Sequence, residues 1–211
     1  MRTQYKHGLV LFAALLTSGC SLLARPGGGV ARYAPALLPH ALPAPTHERR
    51  WQIAVAEPLA PAPLLGTRIL VSPRPGHIEV YHAARWQEAP AVLLKSLIIQ
   101  ALHEAGAAGA ADSASLQRTD FLLESDLFRF QSDYRDTPAP SVSIDLYVRL
   151  IRVADGQVAA ARRFSVVEPA AGSAMPAVFE AFERAIDRLV RDCADWAVAA
   201  GDRIGADTAS R

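Results

Sequence analysis

The residue with the most specific chemistry in this sequence is a cysteine, Cys20. It follows the apolar run Leu9–Leu16 and the small residues 17–19. Such a run is too short to cross a bilayer as a helix, which takes about 20 residues, and it is typical of a secretory signal peptide. Because the cysteine directly follows the small residues, the sequence predicts a lipoprotein signal. Residues 1–19 would be removed, and Cys20 would carry diacylglycerol on its thiol and an acyl chain on its amine.

Two other interpretations of this start stay open: an ordinary secretory signal with a chance cysteine, and a buried N-terminal helix. The usual lipobox has Leu three residues before the cysteine, whereas here Thr17 takes that place and Leu16 lies four before it. Ser21 follows the cysteine, where an Asp would indicate retention in the inner membrane. For a Gram-negative cell we therefore predict a lipid-anchored protein on the periplasmic face of the outer membrane, held stably by more than one acyl chain.

The other candidate nucleophiles and metal ligands form no recognisable site. Lipid on Cys20 leaves Cys193 without a disulfide partner, and a lone thiol in an oxidising compartment is safest when buried. His77 and His82 lie five residues apart on one predicted strand, hence on opposite faces, and His103 has no second His at helical spacing. No HExxH, GxSxG, P-loop or dinucleotide motif occurs. We expect no enzyme activity, no metal and no cofactor.

The composition excludes several classes of protein: disordered chains, nucleic-acid-binding proteins and disulfide-rich scaffolds. Hydrophobic residues make up 51% of the 211-residue chain and charged residues 20%, so it can bury a core. The formal net charge is +1, and removal of Arg2 and Lys6 with the signal would leave −1. That balance lacks the basic excess that nucleic-acid binding needs. Two cysteines are too few for a disulfide-knit scaffold.

The chain is predicted to have four parts. These are the signal peptide at 1–19, a lipidated N-terminus with a Pro/Ala/Gly-rich tether at 20–50, a folded domain at 51–201 and a flexible tail at 202–211. Glycine and proline in the tether disfavour a helix or a central strand. Its one aromatic residue, Tyr33, is expected to be exposed rather than to mark a docking contact.

Alternating apolar and polar residues predict six strands in the folded domain. One runs from Trp51 to before Pro58, and the others cover 68–73, 77–82, 121–131, 141–152 and 157–168. The alternation in 141–152 places Asp145 on the water-facing side. A change of phase near Ser125 and Asp126 predicts a β-bulge, and residues 106–115 are predicted to form a loop.

Two helices complete the pattern. The first is predicted from Pro90 to Gly106 and the second from Pro176 to Gly201. The second carries an apolar stripe at steps of three and four residues: Phe179, Phe182, Ile186, Leu189, Cys193 and Trp196. The predicted fold class is α+β, an antiparallel β-sheet with two helices packed on one face, in the order β-β-β-α-β-β-β-α.

The sequence resembles the auxiliary lipoproteins of ABC-type transport systems, a family that acts beside MCE-domain proteins in Gram-negative lipid trafficking. The likeness begins with the lipobox cysteine and the Pro-rich spacer and continues in QIAVAEPLAPAPLLGTRILV. Its central part is HIEVYHAARWQEAPAVLLKSLIIQALHEAG, in which Tyr81, Arg85, Trp86 and Pro90 stand at the family's positions. The likeness covers about residues 20 to 200. The segment before Trp51 is longer and richer in Ala and Pro than the family's opening.

The resemblance implies a non-catalytic outer-membrane subunit that helps a permease, an ATPase and an MCE-domain protein move phospholipid or a related hydrophobic solute. Tyr81, Arg85 and Trp86 would then be candidate partner- or lipid-binding residues, whereas the alternative for Tyr81 and Trp86 is core packing against the helix that follows. Self-association is compatible with the sequence. Two other functions stay open: a structural adaptor for outer-membrane assembly or envelope integrity, and a carrier that encloses an acyl chain.

Overall fold

In the computed structural model the chain forms an eight-stranded sheet with two helices. The described residues are 29–39, 49, 51–107, 109–115, 119–135 and 137–209, with side chains described as far as 206. Cys20 and the predicted signal lie outside them. The strands are β1 Ala31–Tyr33, β2 Ile53–Val55, β3 Arg68–Ser72, β4 Glu79–Trp86, β5 Ala110–Asp112, β6 Phe121–Asp133, β7 Ser141–Arg152 and β8 Gln157–Pro169. The helices are α1 Pro90–Glu104 and α2 Met175–Ala209, and a 3₁₀ turn covers Ala62–Leu64.

Strands β6, β7 and β8 form the antiparallel meander that their alternation predicts. The apolar residues of β7 from Val142 to Leu150 are at most 1% exposed, because alternate side chains of a strand share one face. The register of β6 against β7 shifts between Leu127 and Arg129. A bulge is therefore present, slightly further along than the phase change indicated, and Phe128 within it is 55% exposed.

The sheet is not antiparallel throughout, which corrects the predicted topology. Along one side β6 pairs with β7; along the other it pairs in parallel with β2 at its start and with β3 at its end. The pairs β1–β4 and β2–β5 are parallel as well. Parallel neighbours need a crossover connection, and the chain between β3 and β6, which contains α1, supplies one. The three-residue strands β1 and β5 were not predicted, and β5 lies in the expected 106–115 loop.

Both helices lie on the same face of the sheet, as predicted. Helix α2 packs on β7, β8 and α1, while α1 packs on β2 and β5. The predicted stripe of α2 faces inward, and Phe182, Ile186, Leu189 and Cys193 are fully buried. Burial of this stripe is the main apolar contact between the helical layer and the sheet.

Helix α2 does not end at Gly201, and this prediction is wrong. The helix continues to Ala209, through part of the predicted flexible tail. Gly201 lies against the ring of Trp51, where an added Cβ would be 2.8 Å from Cζ2. Trp51 Nε1 donates a hydrogen bond of 2.9 Å to Asp202, which also pairs with Arg49 at 3.1 Å. The glycine thus permits close packing of the helix on Trp51 instead of terminating it.

Part of the predicted tether belongs to the fold. β1 pairs with β4 at the sheet edge, and the Tyr33 ring packs on Phe179 with 4.8 Å between centroids. Further along, Leu38 N donates to Asp187 and Arg191 donates to Leu38 O. Tyr33 is therefore a packing residue, and the fold includes residues upstream of Trp51.

Candidate interaction site

The three candidate binding residues that the structure describes, Tyr81, Arg85 and Trp86, lie on β4. Trp86 is fully buried. Its ring makes edge contacts with Phe130 at 5.4 Å and with Phe182 at 4.9 Å. Trp86 is therefore a core-packing residue. It contacts both the sheet and α2, and none of its surface is accessible to a partner.

Tyr81 and Arg85 are half-buried, and their polar groups are engaged within the protein. Tyr81 Oη lies 3.0 Å from Ser132 Oγ on β6, and burial raises the pKa of Tyr81 to about 12. Arg85 donates to the carbonyl oxygens of Tyr81 and Ala84 at 2.9 and 2.8 Å. These two side chains stabilise β4 and its contact with β6. Cys20, the predicted lipidation site, lies outside the described residues.

A larger polar surface lies on the side of the meander opposite the helices. We call it the outer sheet face and define it by the alternate residues of the three strands: Glu124, Asp126, Arg129, Asp145, Tyr147, Arg149, Arg163, Ser165 and Val167. The sequence predicted which residues of β7 point this way. It did not show the register that brings opposite charges together, because the alternation within one strand does not fix which residues of the neighbouring strand lie opposite.

The charges of the outer sheet face form ion pairs across neighbouring strands. Arg149 lies 2.8 Å from Asp126 and 3.6 Å from Glu124. Arg163 donates two hydrogen bonds to Asp145, and these bonds are the main cause that lowers the pKa of that carboxyl group. Asp145 is thus on the predicted face, but it is ion-paired and 14% exposed.

Two arginines of this face also cover aromatic rings. The guanidinium of Arg163 lies 5.6 Å from the ring centre of Phe128, and that of Arg149 lies 5.7 Å from the ring centre of Tyr147. Such contacts and ion pairs restrain the two arginine side chains. The face therefore presents paired charges, aromatic surface and the exposed Val167 together.

The described residues contain no cluster of three or more His, Cys, Asp or Glu side chains that could hold a metal ion. His103 Nε2 lies 2.6 Å from the carbonyl oxygen of Ala110, so this histidine links α1 to β5. Cys193 is fully buried, and burial raises the pKa of its thiol to about 12. None of the helices in the described part of the chain is long and apolar enough to span a bilayer.

Comparison with known proteins identifies relatives of the whole fold. A family model described as the ABC-type transport auxiliary lipoprotein component matches residues 36–194. The crystal structure of protein XCC0632 from Xanthomonas campestris is 31% identical, with a TM-score of 0.75, and the match covers 83% of this chain and 98% of that one. A second structure, of an uncharacterized protein, is 15% identical with a TM-score of 0.56 over 74% of this chain and 94% of that one. No protein of curated function matches.

Proposed function

Because the chain belongs to the family of ABC-type transport auxiliary lipoproteins, we propose that it is a non-catalytic, outer-membrane adaptor of an MCE-type transport system for phospholipid or a related hydrophobic solute. Lipid on Cys20 would hold it at the periplasmic face of the membrane. The folded part would bind an MCE-domain protein, which works with a permease and an ATPase of the ABC type.

The observation that carries this proposal is the outer sheet face. Helix α2 covers the opposite side of β7 and β8, so the ion pairs of Arg149 and Arg163 and the exposed Val167 remain available to a partner. Because these side chains are already held by their neighbours, a partner that binds there orders few of them, and ordering costs about 0.5–1.5 kcal/mol per side chain.

Anchoring to the membrane would strengthen such an interaction. Two proteins held at one membrane meet at a high effective concentration, so that a modest interface is sufficient for stable association. The family membership supports the role as a transport auxiliary, while the choice of an MCE-domain partner and of phospholipid is the proposal.

The contact can be tested by replacing Val167 with a photo-crosslinking amino acid in the lipidated protein, in cells. The matched control is the same substitution at Ala199, an exposed residue of α2 on the helical side. We expect an MCE-domain protein to be captured from position 167 and not from position 199. Equal capture from both positions would exclude the outer sheet face as the interface. Capture of a β-barrel protein or of peptidoglycan would indicate the assembly adaptor instead.

The anchor is tested in the same cells with Cys20→Ser. We expect the variant to lose palmitate labelling, processing before residue 20 and fractionation with the outer membrane. Unchanged labelling and processing would rule out lipidation at Cys20 and, with it, this mode of attachment.

A further inference from the structure

A cavity of about 570 Å³ lies beside the outer sheet face, between the β3–β4 turn and the end of β6. This volume is within the range of roughly 300–1,000 Å³ that is usual for small-ligand sites. The residues that define it here as the β6-end cavity are Arg74, Pro75, Ile78, Phe128, Arg129, Asp133 and Arg135. The sequence pattern did not indicate it, since β6 was expected to end at Gln131.

Three arginines and one acidic residue, Asp133, line the β6-end cavity, so its lining carries an excess of positive charge. No direct ion pair joins Arg74, Arg129 or Arg135 to a carboxylate in the described part of the chain, although the charge of Arg129 contributes to lowering the pKa of Asp145. Arg149 and Arg163 of the outer sheet face do form direct ion pairs. The guanidinium of Arg74 lies 3.4 Å from His77 Nδ1. A negatively charged ligand could form ion pairs with these three arginines. Phosphate oxygens match the planar hydrogen-bond donors of the guanidinium group.

Asp133, in contrast, needs a hydrogen-bond donor. It is 6% exposed, and its Oδ1 accepts a hydrogen bond of 2.5 Å from Gln131. Its Oδ2 is shielded from solvent and has no hydrogen-bond partner among the described residues. An unpartnered buried acceptor is costly, so a ligand that brings a hydrogen-bond donor next to its phosphate would satisfy it.

Apolar side chains stand beside these charges. Ile78 and Phe128 are 49% and 55% exposed, and both line the β6-end cavity together with Pro75. Large exposed apolar groups next to a charged cavity indicate an amphiphilic ligand rather than a free inorganic anion.

From this arrangement we propose that the β6-end cavity binds the phosphate-ester headgroup of a glycerophospholipid. Arg74, Arg129 and Arg135 would bind the phosphate, Asp133 would accept a hydrogen bond from the headgroup ammonium or hydroxyl, and Ile78 and Phe128 would contact the glycerol and acyl part. This inference rests on the proposed lipid-transport function and adds a binding site to it.

The test uses the full lipidated protein in a maltoside detergent and three water-soluble probes: glycerophosphoethanolamine, glycerophosphoglycerol and inorganic phosphate. Binding is measured by calorimetry and by phosphorus NMR. We expect both headgroups to bind more tightly than inorganic phosphate. Arg129→Gln should weaken both headgroups about tenfold or more, the usual effect of one charged hydrogen bond. The control, Arg68→Gln, removes an exposed arginine at the far end of β3 and should leave both affinities unchanged.

Asp133→Asn separates a ligand-binding role from a structural one. The variant should bind glycerophosphoethanolamine more weakly, because the ammonium loses its acceptor, and inorganic phosphate more tightly, because a negative charge is gone. Equal affinity of the wild type for phosphate and headgroups, equal losses in Arg68→Gln and Arg129→Gln, or no binding of any probe would overturn the proposal. The partner capture from position 167 does not depend on this cavity, so the two proposals can fail separately.

Discussion

Replacing Gly201 by alanine should destabilise the protein, although alanine is the better helix former. The substitution gains about 1 kcal/mol in helix propensity. Its Cβ, however, would lie 2.8 Å from Trp51 Cζ2 and 3.0 Å from Cε2. Overpacking of this kind costs about 1–3 kcal/mol. A shift of the indole would also weaken its hydrogen bond to Asp202, worth roughly 1.5–3 kcal/mol because the acceptor is a carboxylate.

We therefore expect Gly201→Ala to lower the free energy of unfolding by about 1–3 kcal/mol. For a chain of this size each kcal/mol corresponds to roughly 2–4 °C in the melting temperature. The assay is urea and thermal unfolding, followed by circular dichroism and tryptophan fluorescence.

The matched control is Gly205→Ala, one turn further along the same helix. Its Cβ would lie 3.4 Å from Trp51 Cδ1, an ordinary contact, so helix propensity dominates and the variant should be slightly stabilised. In a Trp51→Ala background the clash is gone, and Gly201→Ala should become stabilising too. If Gly201→Ala stabilises the wild-type protein as much as Gly205→Ala does, the packing of α2 on Trp51 is refuted.

Two predictions concern buried titratable groups. Tyr81→Phe should cost about 1 kcal/mol near neutral pH through loss of the hydrogen bond to Ser132. Because the folded pKa of Tyr81 is raised from 10.0 to about 12, the wild type alone loses stability at this site as pH rises through that interval. The difference between the two proteins in urea unfolding should then shrink, and a constant difference would contradict the assignment. Cys193 should not react with a thiol reagent near pH 8 until the protein unfolds, since it is fully buried with a pKa of about 12; rapid labelling of the native protein would contradict its place in the core.

The sequence predicted the elements that carry their own periodicity. The alternation in β7 and the stripe of α2 each run over several turns or residue pairs, so a local pattern was sufficient to identify them. β1 and β5 have three residues each, ARY and AAD, which is too few for a recognisable alternation. They form because strands that are distant in the sequence pair with them. Such pairings depend on tertiary contacts that no local window contains.

The candidate site residues also depend on tertiary contacts that a local sequence pattern does not contain. Trp86 was a candidate on the strength of the resemblance, and the structure places it in the core against Phe182. The outer sheet face and the β6-end cavity depend on register and on the β3–β4 turn, which join positions about sixty residues apart. Arg74 and Asp133 carry no motif that would connect them in the sequence.

The position of β6 has a consequence for the order in which the protein folds. β2 and β3 pair with segments of β6 that follow 68 and 61 residues later in the chain, and at roughly 5–20 residues per second the wait during synthesis is several seconds. The meander β6–β8, by contrast, is made of near neighbours and can close early, since short loops cost little closure entropy. The N-terminal third thus lacks β6, the strand with which β2 and β3 pair, until the middle of the chain has been synthesised. During that interval its apolar strands need protection from aggregation.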